Sequence, residues 1–172
     1  MAESIALMAE SIAFSKEAER SVIYKEILPQ IESLVSTEPD LVANLANIAA
    51  VLKEAFGFFW VGFYLARDGE LVLAPFQGPL ACTRIKFGDG VCGQAFANSK
   101  TLIVPDVDKF PGHIACSSAS RSEIVVPIFS RAGLPVGVLD VDSDKLSDFD
   151  QADAIGLERI SALITDLLQL DV

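Results

Sequence analysis

The sequence has few of the residues that mark membrane-spanning or nucleic-acid-binding proteins. Only 13 of its 172 residues are lysine or arginine, against 24 aspartates and glutamates, so its net charge is −11. Proteins that bind nucleic acid normally carry a basic surface, and this balance therefore disfavours a nucleic-acid partner. No apolar run reaches the roughly 18 residues that a helix needs to cross a bilayer, so we expect no membrane span.

Cysteine and histidine are also scarce, with 3 and 1 residues. Three cysteines are too few, and odd in number, for a small domain held together by disulfides. The first residues include Glu3 and Glu10 and no basic cluster, so they do not resemble a secretory signal. We expect a cytoplasmic protein, whose cysteines are free, metal-bound or catalytic.

The pattern of the chain predicts a short extension followed by one domain. The hexapeptide Met-Ala-Glu-Ser-Ile-Ala occurs at 1–6 and at 8–13, which is too little for a solenoid. We assign 1–14 to an N-terminal extension and 15–172 to the domain. Helical periodicity begins near Lys16 and recurs near residues 40–56 and at the C-terminal end. Pro29 should kink or divide the first helix.

Between these helices the hydrophobic period changes to two, which is typical of strands. The pattern predicts a hairpin turn at Asp68-Gly69, a short helix carrying Cys92, and a long loop over 106–122. Strands are predicted over 58–65, 70–76, 101–104, 123–129 and 135–142. Antiparallel strands with helices gathered at the ends of the chain indicate an α+β fold, a sheet layered with helices.

Three cysteines, Cys82, Cys92 and Cys116, are candidate redox groups. A thiolate is a strong nucleophile, and a second thiol nearby can trap its oxidised form as a disulfide. Cys116 lies in a polar loop of small residues and is the least suited to a structural role. The alternatives are three buried hydrophobic cysteines, or a Cys₃His zinc site with His113, which the absence of a Cys-x-x-Cys pair disfavours.

Three carboxyl groups, of Glu123, Asp140 and Asp142, form a second candidate cluster. Strand alternation places both aspartates on one face, and Glu123 begins a neighbouring strand. Crowded carboxylates repel one another, so at least one pKa should rise, and that group could act as a general acid near neutral pH. The others could bind a cation. A solvated strand end is the alternative.

Two further features are open to two interpretations each. Trp60 and Tyr64 share a strand face and could wall a pocket around a methyl group or a cation, or belong to an ordinary core. The glycine-rich turn over 88–93 precedes a helix and could hold an anion, although a tight turn explains it equally well.

Several segments together are similar to one known family. They are FWVGFY at 59–64, PFQGPLACTRI at 75–85, GVCG at 90–93, HIACSS at 113–118, SEIVVP at 122–127 and GVLDVDS at 137–143. In these segments the chain resembles the free methionine-(R)-sulfoxide reductases, which are stand-alone GAF domains. The resemblance runs from about residue 19 to residue 168, and the repeated hexapeptide lies outside it.

The resemblance implies a GAF domain with a six-stranded antiparallel sheet layered with helices. It implies that Cys116 is the nucleophile, Cys82 its disulfide partner and Cys92 an auxiliary resolving thiol. It also implies the residues of the substrate site, with two aromatic side chains around the sulfoxide methyl group: Trp60, Tyr64, Glu123, Asp140 and Asp142.

The reaction implied by the resemblance reduces free L-methionine (R)-sulfoxide to L-methionine, with no metal and no bound cofactor. Cys116 would become a sulfenic acid and then a disulfide, which thioredoxin reduces with electrons from NADPH and thioredoxin reductase. Carboxylates that hold the α-ammonium group would exclude peptide-bound residues. The family is homodimeric. A GAF module that binds a small ligand and dimerises without chemistry is the alternative.

Overall fold

The computed structural model describes residues 11–168, which contain four α-helices and six β-strands. The helices are α1 (Arg20–Val35), α2 (Leu41–Phe56), α3 (Gly90–Asn98) and α4 (Gln151–Leu167). The strands are β1 (Trp60–Arg67), β2 (Glu70–Gln77), β3 (Arg84–Lys86), β4 (Leu102–Val104), β5 (Ser122–Phe129) and β6 (Pro135–Ser143). The predicted α+β class is confirmed. No helix in the described part of the chain is long and apolar enough to cross a membrane.

All six strands pair antiparallel in one sheet, in the order β3-β2-β1-β6-β5-β4. The predicted hairpin turn joins β1 to β2, and its Asp68 and Gly69 have φ angles of 51° and 83°. The central pair, β1 and β6, comes from distant parts of the chain. The six-stranded antiparallel sheet implied by the family resemblance is therefore confirmed.

The two faces of the sheet are covered differently. On one face, side chains such as Val61, Phe63 and Leu139 pack against α1, α2 and α4 in the larger core. On the other face, a smaller cluster includes Trp60 and Tyr64 and is covered by α3. Because side chains alternate along a strand, each central strand contributes to both layers. The smaller layer leaves room for a site.

Pro29 does not divide the first helix, so the expected division is wrong, while a kink at Pro29 stays a prediction. The helix α1 continues from Arg20 to Val35 with Pro29 inside it. Proline removes only one backbone donor, and the carbonyl it leaves without a helical partner belongs to Lys25, four residues earlier. Both residues are exposed, so water can bond to that carbonyl.

The described end of the N-terminal extension contacts α1. Ile12 and Phe14 pack against the larger core. The backbone N–H of Ala13 donates to the Gln30 side chain at 2.9 Å, and the Gln30 amide donates back to the Ala13 carbonyl at 2.7 Å. Most of the repeated hexapeptide, in residues 1–10, lies outside the described residues. The domain boundary after residue 14 stays a prediction.

A buried polar network joins α1 to the start of α4. Arg20 donates to the carboxylates of Asp148 and Asp153, each at 3.0 Å, and the Tyr24 hydroxyl donates to Asp153 at 3.0 Å. Gly156 permits this approach, because a Cβ there would lie 2.3 Å from the Tyr24 ring. The two helices are thus held together by charge-assisted hydrogen bonds and by close packing.

The substitution Gly156→Ala should destabilise the protein, although alanine favours helix formation. Propensity alone would add up to about 1 kcal/mol to the free energy of unfolding. Displacing the Tyr24 ring should instead lower it by about 1–3 kcal/mol. Urea unfolding followed by circular dichroism measures the difference. The control, Arg159→Ala at an exposed position of the same helix, should change the value by less than about 0.5 kcal/mol. An increase for Gly156→Ala would contradict the packing argument.

Candidate active site

The register of β5, β6 and β1 brings the predicted acidic and aromatic residues together. Asp142 on β6 lies opposite Glu123 on β5 and opposite Trp60 on β1. Two residues earlier on β6, Asp140 lies opposite Gly62. Residues two apart on a strand share a face, so the three carboxyl groups meet at one end of the sheet. The shared face of the two aspartates is confirmed.

Trp60 and Tyr64 form an aromatic wall beside these acids. The Trp60 ring stacks on Tyr64 and Phe76, with ring centroids 6.0 and 5.3 Å apart, and its N–H donates to the Pro79 carbonyl at 3.1 Å. Gly62 leaves space for the indole, because a Cβ there would lie 2.8 Å from Trp60 Cη2. The strand therefore presents a flat aromatic surface next to its glycine.

Cys116 and Cys82 are joined by a disulfide, with their Cα atoms 5.3 Å apart. Cys82 lies between β2 and β3, and Cys116 lies in the loop before β5. The Tyr64 hydroxyl donates to the Cys82 carbonyl at 2.8 Å, which ties this segment to the aromatic wall. The two cysteines that the resemblance pairs are therefore bonded. Because a disulfide offers no thiolate ligands, this state is incompatible with the Cys₃His zinc alternative.

A cavity of about 50 Å³ lies between Cys116 and the acidic end of the sheet. Cys82 does not line the cavity but reaches it through its bond to Cys116. Seven of the predicted site residues line it: Trp60, Tyr64, Cys92, Cys116, Glu123, Asp140 and Asp142. The structure thus gathers around one cavity the residues that lie far apart in the sequence.

The third cysteine, Cys92, lies in the first turn of α3 and is a free, buried thiol. Its Sγ is 3.9 Å from Oε1 of Glu123. Burial, together with the nearby Asp140 and Glu123, raises the pKa of the Cys92 thiol. In this state Cys92 is protonated near neutral pH and is a weak nucleophile.

The carboxyl groups of the cluster have raised pKa values, as the sequence pattern predicted. Burial, followed by the charges of Asp140 and Asp142, raises the pKa of Glu123 well above its ordinary value. Burial raises the pKa of Asp140 to about 6. Desolvation and the charge of Asp140 raise the pKa of Asp142. The cluster therefore retains protons near neutral pH, as a general acid requires.

The hydrogen bonds of the two aspartates differ. The Ser120 hydroxyl donates to Oδ1 of Asp142 at 2.5 Å. Oδ1 of Asp140 is buried and has no hydrogen-bond partner among residues 11–168. Since an unpaired buried polar atom is costly, this oxygen is the one best placed to accept a hydrogen bond from a ligand.

Two further residues line the cavity. Ser120 was not predicted from the sequence, and His113 was predicted only as a ligand of the alternative zinc site. Nε2 of His113 lies 3.9 Å from Oε2 of Glu123. Burial lowers the pKa of His113 against the opposing charge of Asp108, so the imidazole is neutral near pH 7 and this contact is no ion pair. Both residues flank Cys116 in the loop 110–121, and that proximity was the available signal.

Comparison with known proteins identifies the family to which this chain belongs. The GAF domain family model matches residues 35–169, which together with the sheet defines the chain as a GAF-domain protein. It is 58% identical to "GAF domain-containing protein A" of Dictyostelium discoideum over 91% of this chain and 99% of that protein. It is 40% identical to the free methionine-R-sulfoxide reductase of Saccharomyces cerevisiae over 91% of each chain.

A solved structure gives a more specific match. The free methionine-R-sulfoxide reductase of Neisseria meningitidis, solved in complex with its substrate, superposes with a TM-score of 0.88 at 60% identity. The match covers 91% of this chain and 94% of that one. The chain belongs to the free methionine-(R)-sulfoxide reductase family of GAF domains, as the resemblance in its motifs indicated.

Relative to the wild type, the substitution Asp140→Asn should stabilise the protein more at neutral pH than at acid pH. The folded pKa of Asp140 is about 6, above the ordinary 3.8, so the folded state holds a proton that the unfolded chain has lost. Rising pH through this window therefore lowers stability, by up to about 3 kcal/mol. The variant has no carboxyl group at this position, so its free energy of unfolding should not fall in this way as the pH rises. Urea unfolding without reductant, at about pH 4 and about pH 7, measures the gain.

A matched control is Asp144→Asn, which changes an exposed aspartate two residues beyond the cluster. Its free energy of unfolding should differ from that of the wild type by less than about 0.5 kcal/mol at either pH, because a substitution at an exposed position has little effect. A difference for Asp140→Asn that is equal at both pH values would show that this carboxyl group does not titrate in the stated window.

Proposed function

We propose that this protein reduces free L-methionine (R)-sulfoxide to L-methionine through a cysteine sulfenic acid and an intramolecular disulfide. The observation that carries the proposal is the Cys116–Cys82 disulfide at a cavity lined by carboxyl groups with raised pKa. The names of its relatives in yeast and Neisseria support the same substrate and reaction.

In the proposed first step, the Cys116 thiolate attacks the sulfoxide sulfur, and the sulfoxide oxygen takes up a proton. Methionine leaves with two electrons from Cys116, and Cys116 retains the oxygen as a sulfenic acid. The Cys82 thiol then attacks this sulfur and displaces the oxygen as water, which forms the disulfide. The Cys82–Cys116 bond corresponds to the state after both steps.

Glu123 is the proposed proton donor to the sulfoxide oxygen. Its carboxyl group is buried, and burial and two neighbouring acids raise its pKa. Asp142 also has a raised pKa, but the hydrogen bond from Ser120 favours its ionised form. A group that is still protonated near neutral pH is the better general acid.

The proposed selectivity for the free amino acid rests on Asp140 and on the first turn of α3. The unpartnered Oδ1 of Asp140 can accept a hydrogen bond from the α-ammonium group, which a peptide-bound residue lacks. The N-terminal residues Gly90 and Val91 of α3 line the same cavity and suit the α-carboxylate. Trp60 and Tyr64 would enclose the methyl group beside the sulfur.

Recycling by thioredoxin, with NADPH and thioredoxin reductase, completes the proposed cycle. Cys82 and Cys116 are both partly exposed, as thiol–disulfide exchange with another protein requires. Leu80, two residues before Cys82, is 89% exposed and offers an apolar contact beside the disulfide. A homodimer and a cytoplasmic location, where thiols are kept reduced, remain parts of the proposal that rest on the family resemblance.

A coupled assay tests the proposed activity. The protein is mixed with thioredoxin, thioredoxin reductase and NADPH, and each sulfoxide epimer is supplied both free and peptide-bound. Only the free R epimer should consume NADPH. Consumption with peptide-bound substrate would contradict the proposed ammonium recognition. Tight binding of a small ligand without NADPH consumption would favour the non-catalytic GAF module.

Two cysteine variants separate attack from recycling. Cys116→Ser should abolish turnover, because the attacking sulfur is lost. Cys82→Ser should release one methionine per protein in a single turnover and then stall, because thioredoxin receives no Cys82–Cys116 disulfide. Quenched single-turnover measurements of methionine separate the two. Full activity in Cys116→Ser would refute the mechanism.

Two acid variants separate proton donation from substrate binding. Glu123→Gln should lower kcat by about 10²–10⁴-fold with a smaller change in KM, because only the proton transfer is lost. Asp140→Asn should act mainly by raising KM, because the ammonium group loses an anionic partner. Steady-state kinetics measure both effects, and the opposite pattern in the two variants would reverse the assigned roles.

A further inference from the structure

One cluster in the cavity combines a thiol with two carboxyl groups in the arrangement of a metal site. Sγ of Cys92 and one carboxylate oxygen each of Glu123 and Asp140 all lie within 4.8 Å of one another, and all three residues are buried. Cys92 comes from α3, Glu123 from β5 and Asp140 from β6, so three separate elements hold the donors.

A second observation points to a ligand at this cluster. The side chain of Asp140 is 6% exposed, and its Oδ1 has no hydrogen-bond partner among the described residues. Asp140 also lines the cavity, as do Cys92 and Glu123. A buried oxygen without a partner, next to a thiol and a second acid, matches the needs of a cation.

The distance between two of the donors is close to the one that a small cation with sulfur and oxygen ligands requires. Bonds of about 2.3 Å to sulfur and 2.0 Å to oxygen at a tetrahedral angle place the two donors about 3.5 Å apart. Sγ of Cys92 and Oε1 of Glu123 are 3.9 Å apart, so small side-chain rotations bring them into range.

We propose that Cys92, Glu123 and Asp140 bind one thiophilic divalent cation, of the class of Zn²⁺, and that the bound cation blocks the substrate cavity. Cysteine sulfur selects Zn²⁺ over Mg²⁺ and Ca²⁺, which prefer oxygen ligands alone. Binding converts the Cys92 thiol to a thiolate and releases its proton to solvent. This donor set differs from the Cys₃His set, since it uses neither cysteine of the disulfide.

The blocking part of this proposal rests on the proposed function. The cation would bind the same Asp140 carboxylate that the α-ammonium group is proposed to contact. Substrate and cation should therefore compete. The binding part stands on the side-chain geometry alone and can be tested without turnover.

Cobalt is a suitable probe, because Co²⁺ bound to a thiolate has a charge-transfer absorption band. The protein in its disulfide form is titrated with Co²⁺, and a band at one equivalent is expected. Cys92 is the only free thiol in this form, so the band can arise only there. Its absence from the wild-type protein would overturn the proposal, whatever the variants do.

Variants then test two of the three proposed ligands. Cys92→Ser should abolish the band, and Asp140→Asn should weaken Co²⁺ binding at least tenfold, while the exposed control Asp144→Asn should bind as the wild type does. Circular dichroism checks that each variant is folded. Unchanged affinity in Asp140→Asn would remove this residue from the site and overturn the three-ligand proposal. Zn²⁺ should displace Co²⁺, and Mg²⁺ should not.

Competition with substrate is measured in the double variant Cys82→Ser and Cys116→Ser, in which Cys92 is the remaining thiol. Free methionine (R)-sulfoxide should weaken Co²⁺ binding, about elevenfold at ten times its own dissociation constant. Co²⁺ binding that the sulfoxide does not change would overturn the blocking part. Failure of the NADPH assay alongside a thiolate band in the wild type would instead refute the proposed function and leave the metal site standing.

Discussion

The crowding of three acids at one end of an antiparallel sheet, two of them buried and one half-buried, is the constraint on which this structure depends. Strand register places Glu123 opposite Asp142, with Asp140 on the same face, and Cys92 of α3 covers them. Like charges this close cannot all be ionised in a dry environment, so protons are retained and pKa values rise. An arrangement that costs stability near neutral pH provides an acid that holds its proton there.

The rest of the fold offsets this cost, because the residues that stabilise it lie mainly on the sheet face opposite the acids. The face of the sheet opposite the acids packs against α1, α2 and α4 in a large apolar core. Arg20 and Tyr24 further connect α1 to α4 through Asp153, where a buried carboxylate is fully hydrogen-bonded. Asp140 differs, because its Oδ1 has no hydrogen-bond partner within residues 11–168. The same residue type is thus fully hydrogen-bonded on one side of the sheet and has an unpaired oxygen on the other.

The loop that carries Cys116 is positioned by backbone contacts at both ends. The N–H of Val107 donates to the Arg121 carbonyl at 3.0 Å, and the N–H of Arg121 donates to the Ser143 carbonyl at 2.7 Å. Near its middle, Ile114 packs against Gly90, where a Cβ would lie 3.2 Å away. Gly90 also has a φ of 61°, a conformation that favours glycine. Gly90 therefore allows the loop that carries Cys116 to lie close to the start of α3, where both line the cavity.

Much of this protein could be predicted from its sequence, because the relevant signals are local. Period-two alternation predicted that Asp140 and Asp142 share a face, and the Asp-Gly step predicted the hairpin between β1 and β2. The motifs around Cys82 and Cys116 indicated the family, and with it the six-stranded sheet and the disulfide pairing. Whether Pro29 divides its helix could not be predicted in this way, because the outcome depends on whether the carbonyl four residues earlier can bond to water.

Only the tertiary structure decided how the three acids differ from one another. The sequence gives each of them the same chemical group, and their protonation depends on burial and on partners supplied by distant elements. Ser120 donates to Asp142, and His113 lies beside Glu123. One oxygen of Asp140 has no partner in the part of the chain that the structure describes. No local sequence pattern encodes these differences. Alternation along a strand is a property of the chain itself, whereas a pKa is a property of the space around a group.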